Sequence, residues 1–226
     1  MSERPSIESM ADDEQAEFVE LARELTPAEW SAPSLCIGLS VRDVLVHIAA
    51  HIHDEPNRNE IIRVALRSGP SISRIEQRVD RIQQARHAGR SPENIIAWLA
   101  TPRAVPDSPT QLSELVIHQQ DIRRAVARPR AIPADRVEAV LDHSISTKGH
   151  KSVNYARRRL RGICLVATDM DWTRGDGADV RGPGEALLMA ANGREQALLD
   201  LTGPGLEPLT RRTTDWSSRF GRHGRS

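Results

Sequence analysis

Aromatic residues make up only 3% of this 226-residue chain, so its core must be built from Leu, Ile, Val and Ala. Cysteine is equally sparse: Cys36 and Cys164 lie far apart and form no Cys-x-x-Cys pair, which implies neither a disulfide framework nor a thiolate zinc cluster. The chain also lacks an excess of either charge, with 31 basic and 31 acidic residues. Without net charge it has no bulk electrostatic attraction for nucleic acid or for a membrane surface, so we expect neither as a partner.

Long apolar runs are absent as well, and none approaches the roughly 20 residues that a membrane-spanning helix requires. The N-terminal stretch MSERPSIESMADDEQ is acidic and polar, unlike a secretory signal peptide. We therefore expect a cytoplasmic protein.

What the chain does contain, up to about residue 147, is helical periodicity. Apolar residues recur every three or four positions in a series of segments that are separated by Pro- and Gly-containing breaks. Ser40 with Asp43, and Ser108 with Pro109, are residue types that begin helices. The predicted helical segments are 10–25, 41–55, 57–68, 72–87, 92–99, 109–124 and 133–146.

The pattern changes after about residue 150. LRGICLVATDMDW is apolar and favours β-structure, TRGDGADVRGPG is rich in turn residues, and GEALLMAANGR predicts a short helix that ends near Asn192-Gly193. We therefore predict an α+β protein with a helical domain over residues 1–147 and a small α/β domain over 148–212. The Gly-, Ser- and Arg-rich segment 213–226 is predicted to be a disordered tail.

One predicted helix carries an unusual set of polar residues. In LSELVIHQQDIRR, Glu114, His118 and Asp121 follow one another at steps of four and three, so they lie along one side of the helix. A solvated polar face is one interpretation. The other is half of a metal site, in which Glu114 and His118 share a divalent ion and Asp121 orients a ligand.

Two protein ligands make a poor metal site, so the second interpretation needs a third ligand from elsewhere in the chain. His47 and His51 are candidates, because both lie at the border of the apolar stripe of the segment 41–55. Helical bundles place metal ligands on facing helices. The residues alone leave open which of the two histidines contributes.

Three stretches resemble the DinB-like mycothiol-dependent maleylpyruvate isomerase family. EWSAPSLCIGLSVRDVLVHIAAH is similar to its N-terminal signature, although Leu39 replaces the usual Trp. ELVIHQQDIRRAV is similar to the second signature, in which a Glu and a His four residues apart complete the metal site. DMDWTRGDGADVRGPGEALLMAANGR is similar to the C-terminal signature, which closes with Gly-Arg. The resemblance extends over roughly residues 10–210.

The resemblance implies an N-terminal four-helix bundle that holds one divalent metal, followed by a small C-terminal α/β domain. Carried over position by position, it implies His47, Glu114 and His118 as metal ligands, whereas His51 has no role in the family and becomes the runner-up. Zinc is the expected ion, because the ligands are nitrogen and oxygen atoms without a thiolate. The resemblance also implies mycothiol, a low-molecular-weight thiol, as cosubstrate, and a small electrophile that is either isomerised from cis to trans or receives the thiol by S-transfer.

Two further residues carry expectations of their own. Arg194 coincides with the Gly-Arg that closes the C-terminal signature, and we expect it to be catalytic by holding the anionic group of a substrate through its guanidinium. The alternative for Arg194 is a surface position near a helix C-terminus. Cys36 is expected to be a loop or packing cysteine, because the sequence places no base beside it and the thiol comes from the cosubstrate.

Three classes of function stay open at the level of sequence. The first is the mycothiol-dependent metalloenzyme. The second is a metal-binding module without catalysis, such as a regulatory module, and the third is a helical interaction protein in which the histidines and Glu114 are incidental. A metal assay separates the third from the other two, and turnover of an electrophile with mycothiol separates the first from the second.

Overall fold

The computed structural model describes residues 5–53, 64, 72–103, 108–145, 156 and 158–220. Most of the predicted helix 57–68 lies outside these residues, as do residues 146–155 around the predicted domain boundary at 147. The helices of the described part are α1 (Ile7–Glu24), α2 (Pro27–Ser31), α3 (Val41–His53), α4 (Ile72–Arg86), α5 (Pro92–Leu99), α6 (Pro109–Ala125), α7 (Ala134–Ile145), α8 (Gly184–Ala191) and α9 (Leu206–Phe220). The strands are β1 (Ile163–Ala167), β2 (Thr173–Gly175) and β3 (Ala178–Gly182), and a short 3-10 helix covers Glu195–Asp200.

Helices α3 and α6, which later supply the site, begin at the residues that the sequence indicates. The Ser108 hydroxyl accepts a hydrogen bond from the backbone N–H of Gln111, and Pro109 follows at the first helical position. Ser40 and Asp43 cap α3 reciprocally: the carboxylate of Asp43 accepts from the backbone N–H of Ser40, and the Ser40 hydroxyl accepts from the backbone N–H of Asp43. These caps fix where each helix starts and hence which residues face inward.

The helical part is organised around α6. Helices α1, α3 and α7 all pack against it, while α5 packs against α1 and α3. The interior is aliphatic, as the scarcity of aromatics requires, and Phe18 and Trp30 are its buried aromatic residues among the helices described. Fully buried side chains that line this interior include Leu21, Leu45, Ile48, Ile52, Leu99, Leu112, Leu115, Ile122 and Leu141.

The C-terminal part is a three-stranded sheet with α8 and α9. The strand order is β2-β1-β3, with β1 antiparallel to β2 and parallel to β3. The stretch that the sequence marks as turn-rich holds β2 and β3 as well as the turn between them. Gly177 in that turn has a φ of +135°, and a Cβ there would lie 2.3 Å from the carbonyl oxygen of Gly162, so only glycine fits.

The two parts share one continuous apolar core. Helix α8 packs on α6 and α7, and buried residues of both parts form a single cluster. The Trp172 indole N–H also donates to the Asp142 carboxylate of α7 at 3.0 Å, which ties the sheet to the helices. Helices together with a small sheet confirm the predicted α+β class. The division at residue 147 stays a prediction.

The C-terminal end differs from its prediction. Residues 213–220, expected to be disordered, continue helix α9, while 221–226 lie outside the described residues. The helix is fixed by its buried face, where Leu209 and Thr213 are inaccessible to solvent, and by Arg212, which donates to the backbone carbonyls of Arg159 and Arg161. The polar composition of the segment concealed this narrow apolar face. In the described ranges, no helix has both the length and the apolar character that crossing a membrane requires.

Candidate metal centre

His47 from α3 meets Glu114 and His118 from α6. The Nε2 atoms of His47 and His118 lie 3.5 Å and 3.2 Å from the same carboxylate oxygen of Glu114. One potential ligand atom from each residue lies within 4.8 Å of the other two. All three side chains are partly exposed, so the cluster is reached from solvent.

His51 lies one turn further along α3. Its ring stacks on that of His47 with the centroids 6.2 Å apart, whereas the His47 and His118 rings are 5.0 Å apart. Burial lowers the pKa of His51 below its usual value, and its side chain is hydrogen-bonded to Gln111. Two groups of candidate ligand atoms occur among the described residues, one of His47, Glu114 and His118 and one of Cys36, His118 and Asp121, and neither includes His51. The ligand set itself stays a prediction.

The three residues fit a divalent ion chemically. Two imidazole nitrogens and one carboxylate oxygen are a donor set that zinc accepts, and three protein ligands leave a coordination position open. This fit rests on the convergence of three such atoms from two helices, in a part of the structure that is open to solvent.

Asp121 sets the orientation of His118. Its Oδ2 lies 3.0 Å from His118 Nδ1, and because a carboxylate accepts only, Nδ1 carries the proton. The opposite nitrogen, Nε2, is then the one that faces Glu114 and His47. A carboxylate that fixes the tautomer of a histidine in this way commonly supports a metal ligand.

The spacing along α6 allowed the interpretation of a solvated polar face. For Asp121 that interpretation is wrong, because its side chain has no solvent exposure. The Nε of Arg194 donates to its Oδ1 at 2.8 Å and Nη2 donates to its Oδ2 at 2.5 Å. Arg194 comes from the turn after α8, where Gly193 adopts a φ of +90°. At Asp121 the polar side of α6 therefore faces the C-terminal part of the protein, whereas Glu114 and His118 stay partly open to solvent.

These charges shift one another's pKa values. Burial raises the pKa of Asp121, but the charge and hydrogen bonds of Arg194 outweigh that effect and hold it well below its usual range. Burial likewise opposes the charged forms of Glu114 and His118. Hydrogen bonds from His118 and His47 nevertheless lower the pKa of Glu114, while Cys36, Asp121 and Glu114 raise the pKa of His118.

Cys36 is the functional neighbour that the sequence analysis missed. Its thiol donates to Asp121 Oδ2 at 2.9 Å and lies 3.4 Å from His118 Nδ1, so it is more than a packing residue. The loop is held there by a turn, in which the backbone N–H of Leu39 donates to the carbonyl of Cys36 and Gly38 has a φ of +81°, and by the N–H of Leu35, which donates to the carbonyl of Asp121. The sequence feature that pointed to a role for Cys36 was its position within the N-terminal signature.

Arg194, which we expect to bind the anionic group of a substrate, lies in the same hydrogen-bond network. Besides Asp121 it contacts the Cys36 sulfur at 3.5 Å through Nη2 and donates to the carbonyl of Asn192 through Nη1. Its side chain is 18% exposed, so a surface position of the kind considered for it is excluded. The guanidinium group of Arg194, which we expect to hold the anionic group of a substrate, is thus hydrogen-bonded to Asp121. A direct contact between Arg194 and a substrate stays a prediction.

Comparison with known proteins gives one family match. A sequence profile described as the mycothiol maleylpyruvate isomerase N-terminal domain matches residues 11–123, half of the chain. Two solved structures also align, a crystal structure of the mycothiol-dependent maleylpyruvate isomerase and one of a single-substitution mutant of it. Each is 13% identical and aligns over 90% of this chain and 96% of its own, with TM-scores of 0.41 and 0.39. A comparison with curated proteins gives no match.

Proposed function

This chain belongs to the mycothiol maleylpyruvate isomerase family, and we propose that it is a divalent-metal-dependent enzyme that uses mycothiol on a small electrophile. The observation that carries the proposal is the meeting of His47, Glu114 and His118 at one point. The family resemblance implies these same three positions. Zinc is the proposed ion, because nitrogen and oxygen ligands without a thiolate suit it.

A divalent ion at this centre would lower the pKa of a thiol that reaches the open position, so that the thiolate forms near neutral pH. His47, Glu114 and His118 would hold the ion. Asp121 keeps the Nε2 of His118 directed toward the centre, and Arg194 keeps Asp121 ionised.

The thiol chemistry has two outcomes. The sulfur forms a bond to one carbon of an activated double bond, and the electron pair of that double bond moves onto the activating group, which is then protonated. Rotation about the resulting single bond and loss of the thiol give the trans isomer and regenerate the thiol. If the adduct is instead released, the product is a thioether and the reaction is S-transfer.

Metal content and thiol consumption test the proposal. We expect protein purified without chelators to carry one divalent ion per chain, and added zinc to raise the melting temperature of chelator-treated protein, since a ligand that binds only the folded state stabilises it. Mycothiol should be consumed with some members of a panel of small unsaturated electrophiles, or maleylpyruvate should be isomerised with mycothiol regenerated. Protein that binds no metal and is not stabilised by zinc would contradict the proposal.

The source of the thiol is tested separately at Cys36. Because mycothiol supplies the nucleophile, Cys36→Ser is expected to retain mycothiol-dependent turnover, since a hydroxyl can also donate to Asp121. Cys164→Ser is the matched control, because Cys164 lies on β1 outside the network. Loss of turnover in Cys36→Ser alone, with metal retained, would make Cys36 the nucleophile.

Arg194→Ala is expected to lower turnover by roughly 2–4 kcal/mol in transition-state stabilisation, the range for loss of one anion-stabilising donor, while the metal is retained. Arg194→Lys should recover little, because a point charge does not reproduce the two parallel hydrogen bonds to Asp121. The measurements are kcat/KM and metal content of both variants. Normal turnover in Arg194→Ala would remove Arg194 from the reaction.

A further inference from the structure

The Arg-rich run RRRLR, residues 157–161, has no part in the proposed reaction. In the structure, Arg158 and Arg161 line a cavity of about 450 Å³ beside the sheet, together with Arg174 of the edge strand β2. None of His47, Glu114 and His118 lines it. A volume of this size is within the range of pockets that take small organic molecules.

The arginines of this cavity differ in how their charge is balanced. Arg174 shares the carboxylate of Asp142 at 3.3 Å, whereas neither Arg158 nor Arg161 has an ion-pair partner in the part of the chain described. The carboxylate of Asp176 also lines the cavity and offsets one positive charge. Three arginines and two carboxylates, those of Asp142 and Asp176, leave this region with an excess of positive charge in a protein whose net charge is zero.

The remaining wall of the cavity is aliphatic. Ile145 and Leu160 supply partly exposed side chains to this wall, whereas Ile163 and Leu165 of β1 are almost fully buried and offer little surface to a ligand. A bare inorganic anion would leave this apolar surface in contact with water. A molecule with an anionic group and an apolar body would match both the arginines and the aliphatic wall. Its anionic group would pair with the arginines, since guanidinium groups bind carboxylate and phosphate in a planar, two-pronged geometry.

We infer that the cavity lined by Arg158, Arg161 and Arg174 binds a small organic anion, a carboxylate or a phosphate ester, with an apolar body. The anionic group lies between Arg158 and Arg161, and the apolar body lies on Ile145 and Leu160. This site is independent of the proposed thiol chemistry, because the two clusters share no residue.

Isothermal titration calorimetry on the full chain tests the inference with two probes, phenyl phosphate and 3-phenylpropanoate. Inorganic phosphate and benzyl alcohol serve as the separate halves of a probe. We expect at least one of the two probes to bind, more tightly than either half and more weakly at high salt. The probe that binds more tightly identifies the anionic group. No binding of either probe at millimolar concentration would overturn the inference.

The variants locate the binding. The double substitution Arg158→Gln with Arg161→Gln should weaken it by about tenfold or more, the loss expected when two charge-assisted contacts are removed. Arg211→Gln is the matched control, an exposed arginine on α9 that does not line the cavity, and should leave binding unchanged. His47→Ala should also leave it unchanged. An unaltered affinity in the double variant, or a loss in His47→Ala, would overturn the assignment of the cavity.

Discussion

Asp121→Asn is expected to reduce the free energy of unfolding by about 3–5 kcal/mol, the cost of removing one partner of a buried ion pair. The carboxylate has no solvent exposure and accepts hydrogen bonds from Arg194, His118 and Cys36. An amide of the same shape keeps the packing but not the charge, so Arg194 would be left buried without its counter-ion. Urea unfolding followed by circular dichroism measures the difference.

The matched control for this change is Asp179→Asn on β3. Asp179 also pairs with an arginine, Arg181 at 2.6 Å, but both side chains are substantially exposed. Exposed pairs contribute less than about 1 kcal/mol because water and salt screen them. If Asp121→Asn destabilises the protein no more than Asp179→Asn, the network around Asp121 does not hold the two parts together.

The same substitution should change how stability depends on pH. The pKa of Asp121 in the folded protein is lower than its unfolded value of about 3.9, so its contribution is fully present above that value. The contribution is lost as the pH falls through the folded pKa. Wild-type stability should therefore decline more steeply than that of Asp121→Asn at pH values below about 4.

Much of the helical part follows from the sequence because its signals are local. Ser108 with Pro109 fixes the start of α6, and from that start the positions of Glu114 and His118 on one side of the helix follow from 3.6 residues per turn. The spacing could not reveal that Asp121, on the same side, is buried against Arg194 while Glu114 and His118 stay partly exposed. That outcome depends on where the C-terminal part is placed, which is a property of tertiary packing.

The contacts of Cys36 and Arg194 with Asp121 could not be predicted from the sequence. Arg194 is 73 residues from Asp121, and Cys36 is 85 residues from it, so no periodicity relates them. Cys36 reaches the network only because the turn at Gly38 brings the loop onto α6. The family resemblance placed both residues in signatures but gave neither of them its partner.

The full length of helix α9 could not be predicted from the composition of the sequence. The polar composition of 213–226 predicts disorder, yet 213–220 continue α9, in which Leu209 and Thr213, four positions apart, are fully buried. A helix can be held by so narrow a face when side chains such as Arg212 also bind backbone carbonyls of the neighbouring segment. Composition averages over the whole segment and does not detect such a face.

The ligand variants should have the largest effect on function. His47→Ala is expected to abolish stoichiometric metal binding and to lower turnover by at least ~100-fold, since a metal centre supplies several kcal/mol and each ~1.4 kcal/mol is a factor of ten. Glu114→Gln should behave in the same way, because Glu114 contacts both histidines and an amide oxygen carries no charge to hold a cation between them. Elemental analysis and kcat/KM are the measurements.

His51→Ala is the matched control, one helical turn from His47 on the same helix and stacked on its ring. It should keep the metal and most of the activity, because His51 does not belong to the cluster of converging ligand atoms. Zinc affinity of the wild type should fall with decreasing pH, since His118, whose pKa is raised, must release a proton to bind a metal. Equal loss of metal in His47→Ala and His51→Ala would mean that the ion is held by a different set of residues, with both histidines of α3 as ligands.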